Sequence, residues 1–234
     1  MKQLFIFFCI CPLLGGCSFS EVKYDYAISM VIDRTDVLEL LPNEEDILNT
    51  TGLDADMWQG VYIEVSEISD MDASGHKIFV LPKENSLLGN PTARKAKVAR
   101  FKNDLGQYLA AVQKQNTGAL AHSIIWRTLA NQLNDLGKMQ AVHKSCLVCS
   151  DLMENSDVSF YSPCTFSLLQ SDPKAVENEL EKGCPIDTLQ GVHICFLYKP
   201  ANYDANKSYR IASTFFKSIF AGKGARVTVG TIVN

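Results

Sequence analysis

The stretch Tyr26-Ala27-Ile28-Ser29-Met30-Val31-Ile32-Asp33-Arg34-Thr35-Asp36 ends an uncharged apolar run in a carboxylate, a hydroxyl and a second carboxylate. Asp33, Thr35 and Asp36 offer only oxygen, and such a set suits a hard cation such as Mg²⁺ better than a soft metal. Asp36 or Thr35 could equally cap a helix that follows. The same logic returns at Ser145-Cys146-Leu147-Val148-Cys149-Ser150-Asp151, with Glu154 and Asn155 just beyond. Cys146 and Cys149 have the CxxC spacing of metal and redox motifs. On a buried strand, residues three apart face opposite sides of the sheet and cannot share a metal. They and Cys195 therefore read as small buried hydrophobes. Among candidate bases, His143 and His193 stand at the beginnings of apolar runs, away from the acids, and only His122 precedes a helix near them. A metal-assisted hydrolase would need such a base beside a nucleophile. A lone His at a helix start is more often structural, so the chain reads as non-enzymatic.

The elements that must hold these groups follow from periodicity. Ala27–Ile32 is short, partly β-branched and uncharged, as expected of a strand buried on both faces of a parallel sheet. Polar groups at the carboxyl end of such a strand lie where open α/β sheets bind ligands. Val37 to Leu48 has the pattern of an amphipathic helix that Pro42 must kink or divide. Val61–Ile68 alternates with period two, and a turn-like Asp70–Gly75 leads to a returning strand at His76–Leu81, a hairpin. Asn90-Pro91 opens a helix, and after a polar break at Gln113–Gly118 a second carries Ile124, Ile125, Leu129 and Leu133 on one face. Pro163–Pro185 reads as an insertion holding one charged helix, Lys174–Lys182. Val192–Tyr198 is another buried strand, Ser208–Ala221 an amphipathic helix stopped by Gly222-Lys223-Gly224, and Arg226–Val233 a last strand. This alternation implies an α/β fold, a doubly wound, mostly parallel sheet with one antiparallel edge strand and helices on both faces.

The chain has 234 residues and a net charge of −4. That length suits one domain with a sizeable core, and mild acidity argues against nucleic acid, which calls for a concentrated basic surface. Met1-Lys2-Gln3, an apolar Leu4–Leu14 and small residues before Cys17 have the anatomy of a secretory signal. Leu14-Gly15-Gly16-Cys17 closely resembles the lipobox of bacterial lipoproteins. That resemblance implies cleavage before Cys17, covalent lipid on Cys17, and a protein held on a bacterial membrane outside the cytoplasm. Residues 1–16 are then the signal, 17–24 a lipidated tether and 25–234 the domain. Ser18 supplies no acidic retention signal, which favours the outer membrane over the inner. Of eight cysteines, five remain after Cys9, Cys11 and Cys17. Export permits a disulfide between Cys164 and Cys184, both in loop-like sequence.

The order of elements, with acids ending the first strand and the strand after the paired helices, resembles a von Willebrand factor type A (vWA) domain over Tyr24–Asn234. The resemblance implies a divalent cation, usually Mg²⁺ and otherwise Mn²⁺ or Ca²⁺, at the carboxyl edge of the sheet. Asp33 and Thr35 match the first acid and first hydroxyl of the family's Asp-x-Ser-x-Ser motif. Val37 stands at its last position and cannot ligate, and Asp36 is the neighbouring substitute. Thr117 best matches the loop threonine, with Ser123 the alternative, and Asp151 matches the later acid. The function implied is a membrane-anchored binding module that recruits a protein partner in the envelope, the partner's carboxylate completing the ion's coordination. A structural lipoprotein with a metal-free site, in which Arg34 pairs with Asp36 or Asp151, is the other reading.

Overall fold

Tyr24–Asp33 forms strand β1, and from Ala27 to Ile32 every side chain is at most 2% exposed, Ser29 included. A strand so buried must have neighbours on both edges and layers on both faces. The computed structural model describes residues 23–35, 38, 41–68, 76–115 and 122–230. After β1 come α1 (Glu44–Asn49), β2 (Val61–Ile68), β3 (His76–Leu81), α2 (Pro91–Lys114), α3 (Ile125–Lys138) and β4 (Ala141–Cys149). Then follow α4 (Pro163–Ser171), α5 (Pro173–Glu181), β5 (Val192–Leu197), α6 (Tyr203–Gly222) and β6 (Arg226–Gly230). The sheet order is β3-β2-β1-β4-β5-β6. Among the described strands of the sheet β2 and β3 pair antiparallel and the other four pairs are parallel. The fold is the mixed α/β sheet, mostly parallel, that the alternation of elements implies.

Period-two alternation sorts the side chains of β1 between two layers. Ser29 donates to Gln132 of α3 at 2.9 Å, and Gln132 in turn donates to Glu64 of β2, locking α3 onto that face. Trp126 of α3 stacks on Phe216 and Phe220 of α6, continuing the layer. Met30 and Ile32 point the other way and line a cleft with Leu109 and Val112 of α2. There α1 rides close over α2, because a Cβ at Gly106 would lie 2.7 Å from a Glu44 carboxylate oxygen. Cys146 pairs in register with Ser29 and Cys149 with Ile32, so the two thiols face opposite layers. Burial pushes the Cys146 thiol up to about 12 and raises Cys149 as well, as expected of unreactive core cysteines.

Several boundaries differ from those the periodicity implies. Of the helix expected over Val37–Leu48, the described residues hold α1, which starts after Pro42, where Asn43 and Asp46 form a reciprocal capping box. Residues 36, 37, 39 and 40 lie outside the described residues. The Pro163–Pro185 insertion holds two helices, split where Asp172 caps Ala175 and Pro173 takes the first helical position. Helix α6 begins five residues before Ser208, capped by Asn202. Its end is as expected, with Gly224 at φ +97 and Ala225 N–H bonding back to Phe220. Cys164 and Cys184 are both free, and the Cys184 thiol bonds Asn131 instead. Among the described residues no helix is long and apolar enough to cross a membrane.

The end of the sheet where β1 begins is pinned by one residue of α2. Arg94 is fully buried, yet its guanidinium donates to the carbonyls of Met57 (2.6 Å), Gln59 (2.7 Å) and Pro82 (2.8 Å) and to Glu84 (3.2 Å). A buried charge is tolerated only when its donors are spent in this way. Arg94→Leu removes the side-chain donor from three carbonyls and an acid at once and is expected to cost roughly 3 kcal/mol or more. Arg94→Lys should recover less than half of that, since an ammonium lacks the fork that reaches three diverging carbonyls. Urea unfolding midpoints of the two variants check this.

Candidate functional site

The chain leaves β1 toward β2 on one side and leaves β4 toward β5 on the other. Between the carboxyl ends of β1 and β4 the strand order reverses, and a crevice opens there for the same reason in any doubly wound sheet. Asp33 is the last residue of β1 and is 0% exposed. Its Oδ1 accepts from the Thr35 amide (2.9 Å) and the Thr35 hydroxyl (2.6 Å). Its Oδ2 accepts from the hydroxyls of Ser123 (3.1 Å) and Ser150 (2.7 Å). One carboxylate thus gathers the β1 end, the segment before α3 and the β4 end.

Local structure explains each placement. Val31 and Val148 are register partners, so two residues on, Ser150 falls beside Asp33 on the same face. Ser150 also accepts from the Leu152 amide at 2.9 Å, and Asp151 accepts from the Met153 amide at 2.8 Å. These bonds hold Leu152 at φ +62, a conformation that few residues other than glycine adopt. The chain is thereby turned back so that Asn155 N–H reaches the carbonyl of Ser123 at 2.8 Å. The two loops that carry the serines are therefore stitched together.

Glu154 completes the site. The first turn of α3 has no side-chain cap of its own; Glu154, 0% exposed, accepts from the Trp126 amide at 2.6 Å and caps the helix from another loop. Its other oxygen is buried without a hydrogen-bond partner. Burial, and to a lesser degree the charge of Asp33, push its carboxyl up to about 7, against hydrogen bonds that pull the other way. Beside it opens a cleft of about 710 Å³ lined by His122, Arg127, Glu154, Asn155, Asp157 and Cys184.

Of the residues the sequence singles out, Thr35 donates to Asp33 through its amide and its hydroxyl, and Ser123, the alternative to Thr117, donates its hydroxyl to Asp33. Asp36, Val37, Thr117 and Cys17 lie outside the described residues. Asp151 is half-buried at the rim, next to Ser150, with one oxygen committed to its own turn. Arg34 pairs with Glu67 at 3.6 Å and donates to the Gln115 carbonyl at the end of α2; Asp36, one of its expected partners, lies outside the described residues. His143 stacks on Tyr26 and His193 bonds Thr228, both near the amino-terminal ends of their strands. Ser150 and Glu154 carry more of the site than their sequence context announces. Counting in twos from the paired valines would have found Ser150; no local signal marks Glu154.

Among the described residues no three His, Cys, Asp or Glu side chains converge as a metal-holding group. The donors present fit a hard cation in kind. Three hydroxyls each give their proton to Asp33 and keep lone pairs, and two buried carboxylates, Asp33 and Glu154, stand close enough for one to raise the pKa of the other.

No model of a known protein family matches the chain, and no curated protein matches it. Among solved structures it is similar to a mutant of the PilB minor pilin from Streptococcus sanguinis, with 10% sequence identity and a TM-score of 0.46. The match covers 89% of this chain and 57% of that one, so the chain spans just over half the length of that protein.

Two outcomes test the site's architecture. Asp33→Ala strands three hydroxyls and an amide, and is expected to destabilise the fold by roughly 3 kcal/mol or more in urea unfolding. Glu154 keeps its proton in the folded state between about pH 4.5 and 7 while the unfolded chain loses it, so stability falls as pH rises through that window. Glu154→Gln retains an acceptor for Trp126 but carries no charge. Its stability relative to the wild type should grow from near zero at the low end to roughly 3 kcal/mol above the window.

Proposed function

We propose that this chain is a lipid-anchored bacterial envelope protein whose vWA-like domain captures another envelope protein at the rim where β1 and β4 end. The observation that carries the reading is the convergence of Thr35, Ser123 and Ser150 hydroxyls on buried Asp33 at the reversal point of a 3-2-1-4-5-6 sheet. The lipobox at Leu14–Cys17 supports the anchor, and Ser18 supports the outer membrane. The hydroxyl protons are all committed to a carboxylate whose four acceptor positions are filled, so none of the three is poised as a nucleophile with a base to spare. That favours binding over hydrolysis.

A divalent cation such as Mg²⁺ would be held by the oxygens of Thr35 and Ser123, with Asp33 and Asp151 supplying negative charge; Asp36 and Thr117, the other ligands that the resemblance implies, lie outside the described residues. When bound, the ion supplies a positive charge and an open position for a partner's carboxylate. A metal-free version of the same rim is favoured by one fact: Asp33 is already satisfied by four protein donors without an ion.

Capture of envelope proteins by the tagged, lipidated chain, compared in Mg²⁺ and in EDTA, separates these versions. The test variant is Asp151→Asn, which keeps the turn to Met153 and loses the charge. Its capture should fall by about tenfold or more. Equal capture in EDTA and Mg²⁺ assigns the metal-free rim, and undiminished capture by Asp151→Asn removes the rim altogether.

A further inference from the structure

The loop between β3 and α2 exposes two consecutive leucines almost completely, Leu87 at 91% and Leu88 at 87%. It is a built loop. Gly89 N–H bonds the Asn85 carbonyl at 2.8 Å, the Asn85 side chain accepts from the Leu87 amide at 2.8 Å, and Asn90 caps α2. The Trp58 ring packs so closely beneath that a Cβ at Gly89 would lie 2.2 Å from it. Arg94, one turn into α2, clamps the base of the loop through Pro82 and Glu84 and its neighbour through Met57 and Gln59. The leucines are thus held out on a rigid platform, where large apolar side chains are otherwise withdrawn or covered.

The platform's position names what covers them. Antiparallel β3 ends beside the start of β1: a Cβ on Gly60 would touch both the Lys83 amide (2.9 Å) and the Lys23 carbonyl (3.2 Å), and Lys83 pairs with Asp25 at 2.7 Å. The loop therefore sits on the edge of the sheet from which the amino terminus departs. Six residues, Ser18–Lys23, follow the site of lipidation up to that edge, a span of at most about 22 Å fully extended. The Asp33 rim lies at the opposite end of β1, roughly 30 Å away. We propose that Leu87 and Leu88 dock into the lipid bilayer as a second, reversible contact that orients the domain with its capture rim facing away from the membrane. This rests on the lipid-anchor reading above. Lys83 is paired with Asp25, and Glu84 is shared between Arg94 and Lys97, so these groups leave one cation unbalanced; the leucines make an apolar contact that anionic lipid should strengthen modestly without being required for it. A pair of leucines alone binds a bilayer weakly; beside a stable lipid anchor it is a second contact that fixes an orientation.

The test uses the full mature chain on vesicles of phosphatidylethanolamine with and without phosphatidylglycerol. It is held either by its own lipid or by an amino-terminal hexahistidine on a nickel-chelating lipid. In Leu88→Trp the new indole should shift to the blue and be quenched by brominated acyl chains on both vesicle types, over the background of Trp58 and Trp126 measured in the wild type. Without any anchor, Leu87→Ser/Leu88→Ser should lower vesicle partitioning by about ten- to a hundredfold, as expected for losing two buried leucines. Palmitate labelling that disappears in Cys17→Ser tests the anchor separately. Loss of labelling with quenching intact on the nickel lipid removes the anchor and leaves the platform. An unquenched, water-exposed indole on both kinds of vesicle overturns the proposal, whatever the labelling shows. So does an envelope protein whose capture requires the two leucines while the indole stays unquenched.

Discussion

A carboxylate with no access to water has to be surrounded by donors, and Asp33 meets that requirement with groups drawn from three parts of the chain. The cost of burying it uncompensated would be several kcal/mol, so the hydrogen bonds from Thr35, Ser123 and Ser150 act as a constraint on the entire carboxyl edge of the sheet. The segment before α3 must approach β1, the β4 end must align with it, and the loop after β4 must turn back at Leu152 to keep Ser150 in place. Glu154 is carried along by that turn and ends up capping α3. Rigidity at the proposed binding rim is therefore a consequence of solvating one buried charge.

The amino-terminal edge repeats the strategy with the opposite sign. There Arg94 is the buried charge, and backbone carbonyls from two loops are its solvent. The two edges differ in what they present outward. Around Asp33 lie hydroxyls, an acid turn and an open cleft, groups suited to polar recognition. Around Arg94 the surface is a pair of leucines beside the departing amino terminus. The tether and the binding rim proposed here would lie at opposite ends of the strands, which gives the proposal a physical polarity.

The hydrophobic pattern announced the sheet well, because burial on both faces leaves little place for a charge, and the buried stretches Ala27–Ile32 of β1, Ser145–Cys149 of β4 and Val192–Leu197 of β5 read as uncharged runs. The hairpin was equally plain from the alternation in β2. Helix starts were less legible where capping competed with amphipathicity. Val37–Leu48 has the spacing of one helix, but Pro42 offers no N–H and Asn43 makes a better start. At Asp172-Pro173 a cap and a proline inside what reads as a single insertion divide it into two helices.

The residues of the chain by themselves determined which strands are buried, that acids and hydroxyls stand at their carboxyl ends, and that a lipobox-like signal precedes them. These are local facts, written in composition and in periods of two and 3.6. Only the tertiary structure decided that Ser123 and Ser150 solvate Asp33, that Arg34 turns to Glu67 and the end of α2, and that Asp151 spends an oxygen on its own turn. The reason is physical: a buried charge takes whichever donors the packing of distant segments brings within 3 Å or so, and no local pattern records which those will be.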